Sequence, residues 1–387
     1  MRIILTSMDN PKNKYYGGKH IHLYQLEKGL SEIEGNLVET CYYDFFKRTF
    51  FDKVLSRVNR RFRGYTYSYL KDTEYKKAFI SNLSVHMEGD VLNAHDSLSM
   101  ISFKGNVQKR ILTLHGYLGR ESLNYGAFPE KDKQKVLDYF QAIESKSLSL
   151  ADQVITVDNR IKEYVMNDYG YPEDRINVVF NAIDIEKFQP VSDEIQKDLK
   201  QQYGFAIDEC VVLIPRRLVK KNGILVVAEV SKRLKNEKIK FLFIGDGPLE
   251  NQLRQQAASD KSLKPLGRLP HDKIVDYYKL SDIILIPSIP SDGVEEATSL
   301  SMLEGMSCAK PVVVSAIGGL KEVIKDGING FLTEPANVHQ IAEILQKIYK
   351  NPESFDEIRK KAREHVVANH SYLEHARIFD RIYKKAL

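Results

Sequence analysis

Four cations fall within six positions directly after an apolar run: Val211-Val-Leu-Ile214 leads through Pro215 to Arg216, Arg217, Lys220 and Lys221. A guanidinium fork and flexible ammonium groups on a turn after a strand suit a diphosphate, although a solvated basic loop has the same composition. Glu296 and Glu304 stand eight positions apart around Ala297-Thr298-Ser299-Leu300. With Ser299 in the first turn of a helix, Glu304 sits one to two turns in and Glu296 stays on the preceding loop. The two carboxylates then flank a helix N-terminus, where hydroxyl-rich groups around a phosphate are gripped; unrelated surface acids share this spacing. A third candidate is Tyr15-Tyr16-Gly17-Gly18, which leads into the helical pattern Ile21, Leu23, Tyr24, Leu26 and Leu30. Glycines there let a backbone approach a phosphate at a helix N-terminus, or simply turn the chain from strand to helix. Gly245-Asp246-Gly247-Pro248 says only turn.

The elements that must hold these residues alternate along 387 residues, enough for two to three domains at about 150 residues each. Strands are expected at 2–6, 91–94, 111–114, 154–157, 211–214, 241–244, 283–286 and 311–314, with helical segments between several of them. Such alternation means parallel sheets with helices on their faces, hence an α/β fold of two doubly wound domains. A polar stretch over 189–202 divides them, giving domains 1–188 and 189–371, with a closing helix 372–387 that returns to the first. A cleft between them would put both sheets' carboxyl ends around one ligand.

Composition excludes several classes. Hydrophobic residues at 43% and charged residues at 28% fit ordinary globular cores, and a net charge of +5 is too small for a dedicated nucleic-acid binder. Cys41, Cys210 and Cys308 form no pair at metal-ligand spacing, so neither a disulfide framework nor a zinc site is expected, and a reducing compartment is the natural home. The first residues read as a buried strand rather than a secretory signal, and no apolar run is long enough to span a bilayer.

The ordered set Gly17-Gly18, His115-Gly116, 151–157, Asn181-Ala-Ile-Asp184 with Phe188, Arg217-Leu-Val, 245–248, Leu266-Gly-Arg268, Ser281-Asp282 and Glu296 to Glu304 followed by Gly318-Gly319 resembles the retaining GT-B glycosyltransferases of family 4. The resemblance runs nearly the whole length in the family's order and implies two Rossmann-like domains facing across a cleft. By position it implies that His115 lies beside the donor sugar, that Arg217 neutralises the donor diphosphate and that Glu296 holds the sugar hydroxyls. Glu304 would accept from the ribose hydroxyls, while Arg268 and Leu269 contact the base. Thr298, Ser299 and Leu300 would offer backbone N–H groups to phosphate, and Gly17 and Gly18 would line the approach of diphosphate and acceptor. It also implies no metal and no cofactor, cations doing the work of Mg²⁺, and front-face transfer.

The chain departs from the family pattern at three places. Asn222 stands where a lysine is usual, leaving Lys220 or Lys221 to reach the diphosphate. Ala297-Thr298-Ser299 replaces Gly-Phe-Gly, and Arg216 replaces the glycine before the arginine.

From Lys47 to Lys77 ten basic residues face three acids, a local +7 that exceeds the charge of the whole chain. Apolar residues recur at helical spacing over 45–62, predicting a basic amphipathic helix whose Arg57, Arg60, Arg61 and Arg63 would meet an anionic membrane surface or the acceptor, unless its apolar face packs on its own domain. Tyr65, Tyr67 and Tyr69 follow at strand-like alternation. The expected activity is therefore sugar transfer from a nucleotide sugar, UDP favoured, to a saccharide or lipid-linked acceptor in bacterial surface polysaccharide synthesis. Its expected place is cytoplasmic, peripheral at the inner face of the membrane. Two other readings use the same residues: a nucleotide-sugar epimerase of this architecture and a non-catalytic partner subunit.

Overall fold

The computed structural model describes residues 1–12, 17–44, 50–291 and 296–387. The chain forms two compact units, Met1–Phe180 with Leu373–Leu387, and Asn181–Tyr372.

The first unit carries β1 (Arg2–Ser7), β2 (Leu37–Tyr42), β3 (Glu88–Ala94), β4 (Asn106–Leu114), β5 (Gln153–Thr156) and β6 (Ile176–Val178), all parallel in the order β2-β1-β3-β4-β5-β6. The second carries β7 (Cys210–Ile214), β8 (Ile239–Ile244), β9 (Leu263–Gly267), β10 (Ile283–Ile286), β11 (Val312–Ser315) and β12 (Phe331–Thr333), also parallel, in the order β12-β11-β10-β7-β8-β9. Inner strands such as β7 and β10 are buried on both faces and read as unbroken apolar runs. Each sheet reverses its winding once, between β1 and β3 in the first unit and between β7 and β10 in the second. Ligands of doubly wound sheets bind beyond the strand ends at such a reversal.

Three features differ from the sequence expectation. The first unit ends at Phe180, not 188, because Ile183 pairs with Ser371 and the Phe188 ring packs 5.3 Å from that of Tyr278, both within the second unit. The 189–202 stretch is largely a helix, Asp193–Gln202, capped by Ser192, whose hydroxyl accepts from Ile195 N. Tyr65, Tyr67 and Tyr69 lie on the helix Tyr65–Ser84, not a strand. Tyr65 and Tyr69 share a helix face at i,i+4, with both rings against Phe128 at 5.2 and 5.1 Å, so the apparent alternation is a helical pair with Tyr67 on another face.

The helix Tyr372–Ala386 belongs mostly to the first unit: its Ala376, Phe379 and Tyr383 are buried among Ile3, Leu5, Leu23, Val91 and Ile111. Asn93 at the centre of that sheet donates to the Tyr383 hydroxyl, satisfying a buried amide. Among the described residues, no helix is long and apolar enough to cross a membrane.

Candidate active site

The winding reversal of the second sheet gathers the sequence-predicted donor residues of that unit. Beyond the end of β7 the chain runs through Pro215 to Arg216 and the exposed Arg217, then into a single 3₁₀ turn, Lys220–Asn222. Gly223 ends that turn with φ 65°, and a Cβ there would lie 1.7 Å from the Pro287 carbonyl oxygen, so only glycine lets the basic turn close onto the residue after β10. The Ile289 N–H donates to the Lys221 carbonyl at 2.8 Å, fixing the same contact. The 245–248 turn beyond β8 lies over the arginines: Leu218 N–H donates to the Asp246 carbonyl, and a Cβ on Gly245 would lie 2.1 Å from the Arg216 carbonyl oxygen. Gly245 N–H in turn donates to the Gly267 carbonyl, which brings Arg268 and Leu269 to the rim, with Arg268 Nη1 3.7 Å from an Asp246 carboxylate oxygen.

Beyond β10 the chain reaches Glu296 and then the helix Leu300–Ser307, whose N-cap Ser299 accepts from Met302 N–H. Residues 292–295 of the acidic loop lie outside the described residues. Glu296 thus precedes the helix and Glu304 lies within it, the placement their spacing predicts. Gly319 packs against this entry: its N–H donates to the Glu296 carbonyl, and a Cβ on it would lie 2.7 Å from Thr298 N. The Thr298 carbonyl accepts from Asn181, whose own carbonyl meets His370 Nδ1 at 2.8 Å. Burial pushes the His370 pKa down to about 4, so it is neutral here.

Glu304 is 4% exposed. Its Oε2 accepts from the Tyr278 hydroxyl at 2.6 Å, and His271 Nε2 lies 2.9 Å from Oε1. Lys187 Nζ lies 3.3 Å from His271 Nδ1; an ammonium only donates, so Nδ1 is the acceptor and Nε2 carries the proton toward Glu304. Burial and then the Glu304 charge hold the Tyr278 hydroxyl well above its ordinary pKa, so it remains a donor. Each carboxylate oxygen thereby has one protein donor and keeps lone-pair capacity for a second.

The first unit has its own reversal, and the remaining candidates stand around it. Gly17 caps the helix Gly18–Ser31, and among the described residues a Cβ on Gly17 would meet only His20 Nδ1, at 3.8 Å, an ordinary contact. Tyr15 and Tyr16 lie outside the described residues. Lys19 bridges Asp9 and Asp96 at 2.9 and 2.8 Å; despite the cost of burial these two carboxylates raise its pKa. Beside it, His22, His95 and His115 bring ring nitrogens within 4.8 Å of one another, with His95 Nδ1 3.2 Å from His115 Nε2. Burial, then neighbouring histidines and Lys19, hold His95 and His115 well below their ordinary pKa. Neutral imidazoles are potential metal ligands, but the adjacent ammonium opposes a cation there.

On the helix Phe50–Arg63 the usual arrangement is inverted. Ser56 donates to Asp72 and Asp52 accepts from the Tyr75 hydroxyl, so polar side chains hold this helix to Tyr65–Ser84. The apolar row Leu55, Val58 and Phe62 is exposed, Phe62 at 77%, and Arg60 and Arg63 lie over the rings of Tyr65 and Tyr67. Residues 45–49 of the expected helix lie outside the described residues.

Residues 16–187 match Glycosyltransferase Family 4 and residues 195–365 match Glycosyl transferases group 1. The chain belongs to glycosyltransferase family 4. An uncharacterized glycosyltransferase of Methanocaldococcus jannaschii is 28% identical over 77% of this enzyme and 76% of its own length. The Escherichia coli UDP-Gal:alpha-D-GlcNAc-diphosphoundecaprenol alpha-1,3-galactosyltransferase is 26% identical over 80% and 76%. The crystal structure of Anabaena HepE in complex with UDP superposes with a TM-score of 0.70 at 18% identity over the whole of both chains, which identifies the GT-B fold of this glycosyltransferase.

Sequence reasoning missed two side chains of the glycosyltransferase's second unit, His271 and Tyr278. Both had a signal, since seven positions is two turns and places them on one face of the helix His271–Leu280, toward Glu304. Arg216 was grouped with the cations that suit a diphosphate, whereas the structure buries it against Glu296.

Proposed function

We propose that this glycosyltransferase moves a sugar from a nucleoside diphosphate donor, with uridine favoured, to a hydroxyl of a saccharide or lipid-linked acceptor, retaining anomeric configuration and using no metal or other cofactor. The observation that carries the reading is the convergence of Arg217, Lys220 and Lys221, the N-terminus of the helix Leu300–Ser307 and the carboxylates Glu296 and Glu304 at the winding reversal of the second sheet. The printed name of the E. coli relative, with a UDP-sugar donor and a diphosphoundecaprenol-linked acceptor, supports the same classes.

In this reading the bond between the sugar's anomeric carbon and the diphosphate oxygen breaks, and the oxygen keeps the electron pair. Arg217 and one of the neighbouring lysines meet the charge that develops on the diphosphate, aided by the N–H groups of Thr298, Ser299 and Leu300. The acceptor hydroxyl forms its bond on the face the diphosphate leaves, and its proton passes to that departing oxygen. Glu296 holds the sugar hydroxyls, Glu304 the ribose hydroxyls, Arg268 and Leu269 flank the base, and His115 attends the sugar. Gly17 and Gly18 leave backbone open to the incoming groups.

The test is a thermal-shift panel of UDP-, GDP- and ADP-sugars with EDTA present, followed by transfer to acceptor hydroxyls. A UDP-sugar at about 100 times its Kd should add about 2.7 kcal/mol of stability. No shift with any nucleotide sugar, or conversion of donor alone into an epimer, overturns the reading.

The outward apolar row of Phe50–Arg63, flanked by Arg57, Arg60, Arg61 and Arg63, supports an acceptor at an anionic lipid surface on the cytoplasmic side of the membrane. Wild type should float with phosphatidylserine vesicles and the variant carrying glutamine at those four arginines should not; equal flotation removes the idea.

A further inference from the structure

The three departures from the family pattern meet at one guanidinium. Arg216 is 9% exposed. Its Nη2 lies 2.7 Å from Glu296 Oε2 and donates to Asn222 Oδ1 at 2.8 Å and to Ser288 Oγ at 3.3 Å, while Nη1 donates to Ser299 Oγ at 3.0 Å. Asn222 completes the link by donating its amide to the Arg217 carbonyl at 2.8 Å. One side chain therefore ties the basic turn beyond β7, Ser288 beyond β10, the N-cap of Leu300–Ser307 and the carboxylate of Glu296.

This arrangement is a poor device for stability. A buried ion pair roughly offsets its own desolvation, and among the described residues the buried Arg216 Nε meets no acceptor, which itself costs about 1–3 kcal/mol. Its effect is geometric. Glu296 stands on irregular backbone before the helix, with many rotamers open to a glutamate, and the guanidinium fixes one of them by binding Oε2. The same guanidinium holds Ser299 and Asn222, so the carboxylate is set relative to both the helix N-terminus and the basic turn.

We propose that Arg216 is the positioning residue for the donor's sugar: it holds Glu296 at a fixed distance from the diphosphate subsite, so that the carboxylate accepts from hydroxyls of the sugar ring, with Asn222 as its buttress. This rests on the functional reading above and deepens it, assigning discrimination among donor sugars to the Arg216–Glu296–Asn222 set and nucleotide affinity to other residues. A donor sugar that lacks or blocks the hydroxyls meeting Glu296 should gain nothing from the set.

The experiment measures Kd for UDP and for the UDP-sugar that gives the largest shift in the panel, together with kcat/KM and melting temperature, in wild type, Arg216→Met, Arg216→Lys and Asn222→Ala. In Arg216→Met the Kd for UDP should stay within about twofold while the ratio of the UDP-sugar Kd to the UDP Kd rises about tenfold, the worth of one charge-assisted hydrogen bond. The ratio in Arg216→Lys should fall between the two, because an ammonium reaches Glu296 without the fork that also engages Ser299. Asn222→Ala should shift it in the same direction by less. If Arg216→Met does not fold, the graded order of the other two variants carries the test. An unchanged ratio, with only melting temperature altered, overturns the inference and leaves the functional reading standing. Wild type that binds no nucleotide sugar overturns both.

Discussion

Arg217→Ala is expected to lower transfer by about 10²–10³-fold with the melting temperature within about 2 °C of wild type. The two halves of this expectation have separate causes. Arg217 is exposed beyond the end of β7, so truncating its side chain creates no cavity. In the proposed reaction its fork meets charge that grows as the sugar leaves, an interaction stronger in the transition state than in the bound donor, so the loss should fall on kcat more than on KM. Arg217→Lys keeps a charge but not the bidentate geometry and should lie between. A kcat/KM near wild type in Arg217→Ala would remove this residue from the diphosphate.

Glu304→Ala should damage both stability and donor binding, and the comparison with Arg217→Ala separates a buried binding residue from an exposed one. Removing this carboxylate leaves the His271 Nε2 proton without its acceptor and the Tyr278 hydroxyl with only the Ser301 carbonyl at 3.3 Å, a cost of about 1–3 kcal/mol. In a unit of this size that lowers the melting temperature by roughly 2–12 °C. Independently, if Glu304 accepts from ribose hydroxyls, UDP binding measured well below the new melting temperature should weaken at least tenfold, about one charge-assisted hydrogen bond. A variant that is destabilised yet binds UDP with wild-type affinity would make Glu304 structural only.

What the residues alone disclosed follows the physics of each position. The eight strands visible as apolar runs are the inner strands of the two sheets, where both faces are covered and polar residues such as Asn93 are few. The four that were not visible, β2, β6, β9 and β12, are all edge strands. β6 and β12 have three residues each, β2 mixes Glu39 and Thr40 into its run, and β9 carries Pro265, which an edge tolerates. At the site, the placement of Glu296 before the helix and Glu304 within it was legible because helix geometry relates sequence spacing to placement, while the family resemblance singled the pair out from surface acids. Arg216 was not, because its partners Asn222, Ser288, Glu296 and Ser299 are joined only by folding, and a cation in a basic run gives no sign of being buried.

The return of Leu373–Leu387 to the first unit has a consequence for biosynthesis. The hydrophobic site that receives Ala376, Phe379 and Tyr383 is lined by strands β1, β3 and β4, all made early, yet its last wall is translated only after the whole of Asn181–Tyr372. At about 5–20 residues per second the nascent first unit waits roughly 10–40 s with that apolar seam open. The second unit, by contrast, is one contiguous stretch, Asn181–Tyr372, and waits for no later-made segment.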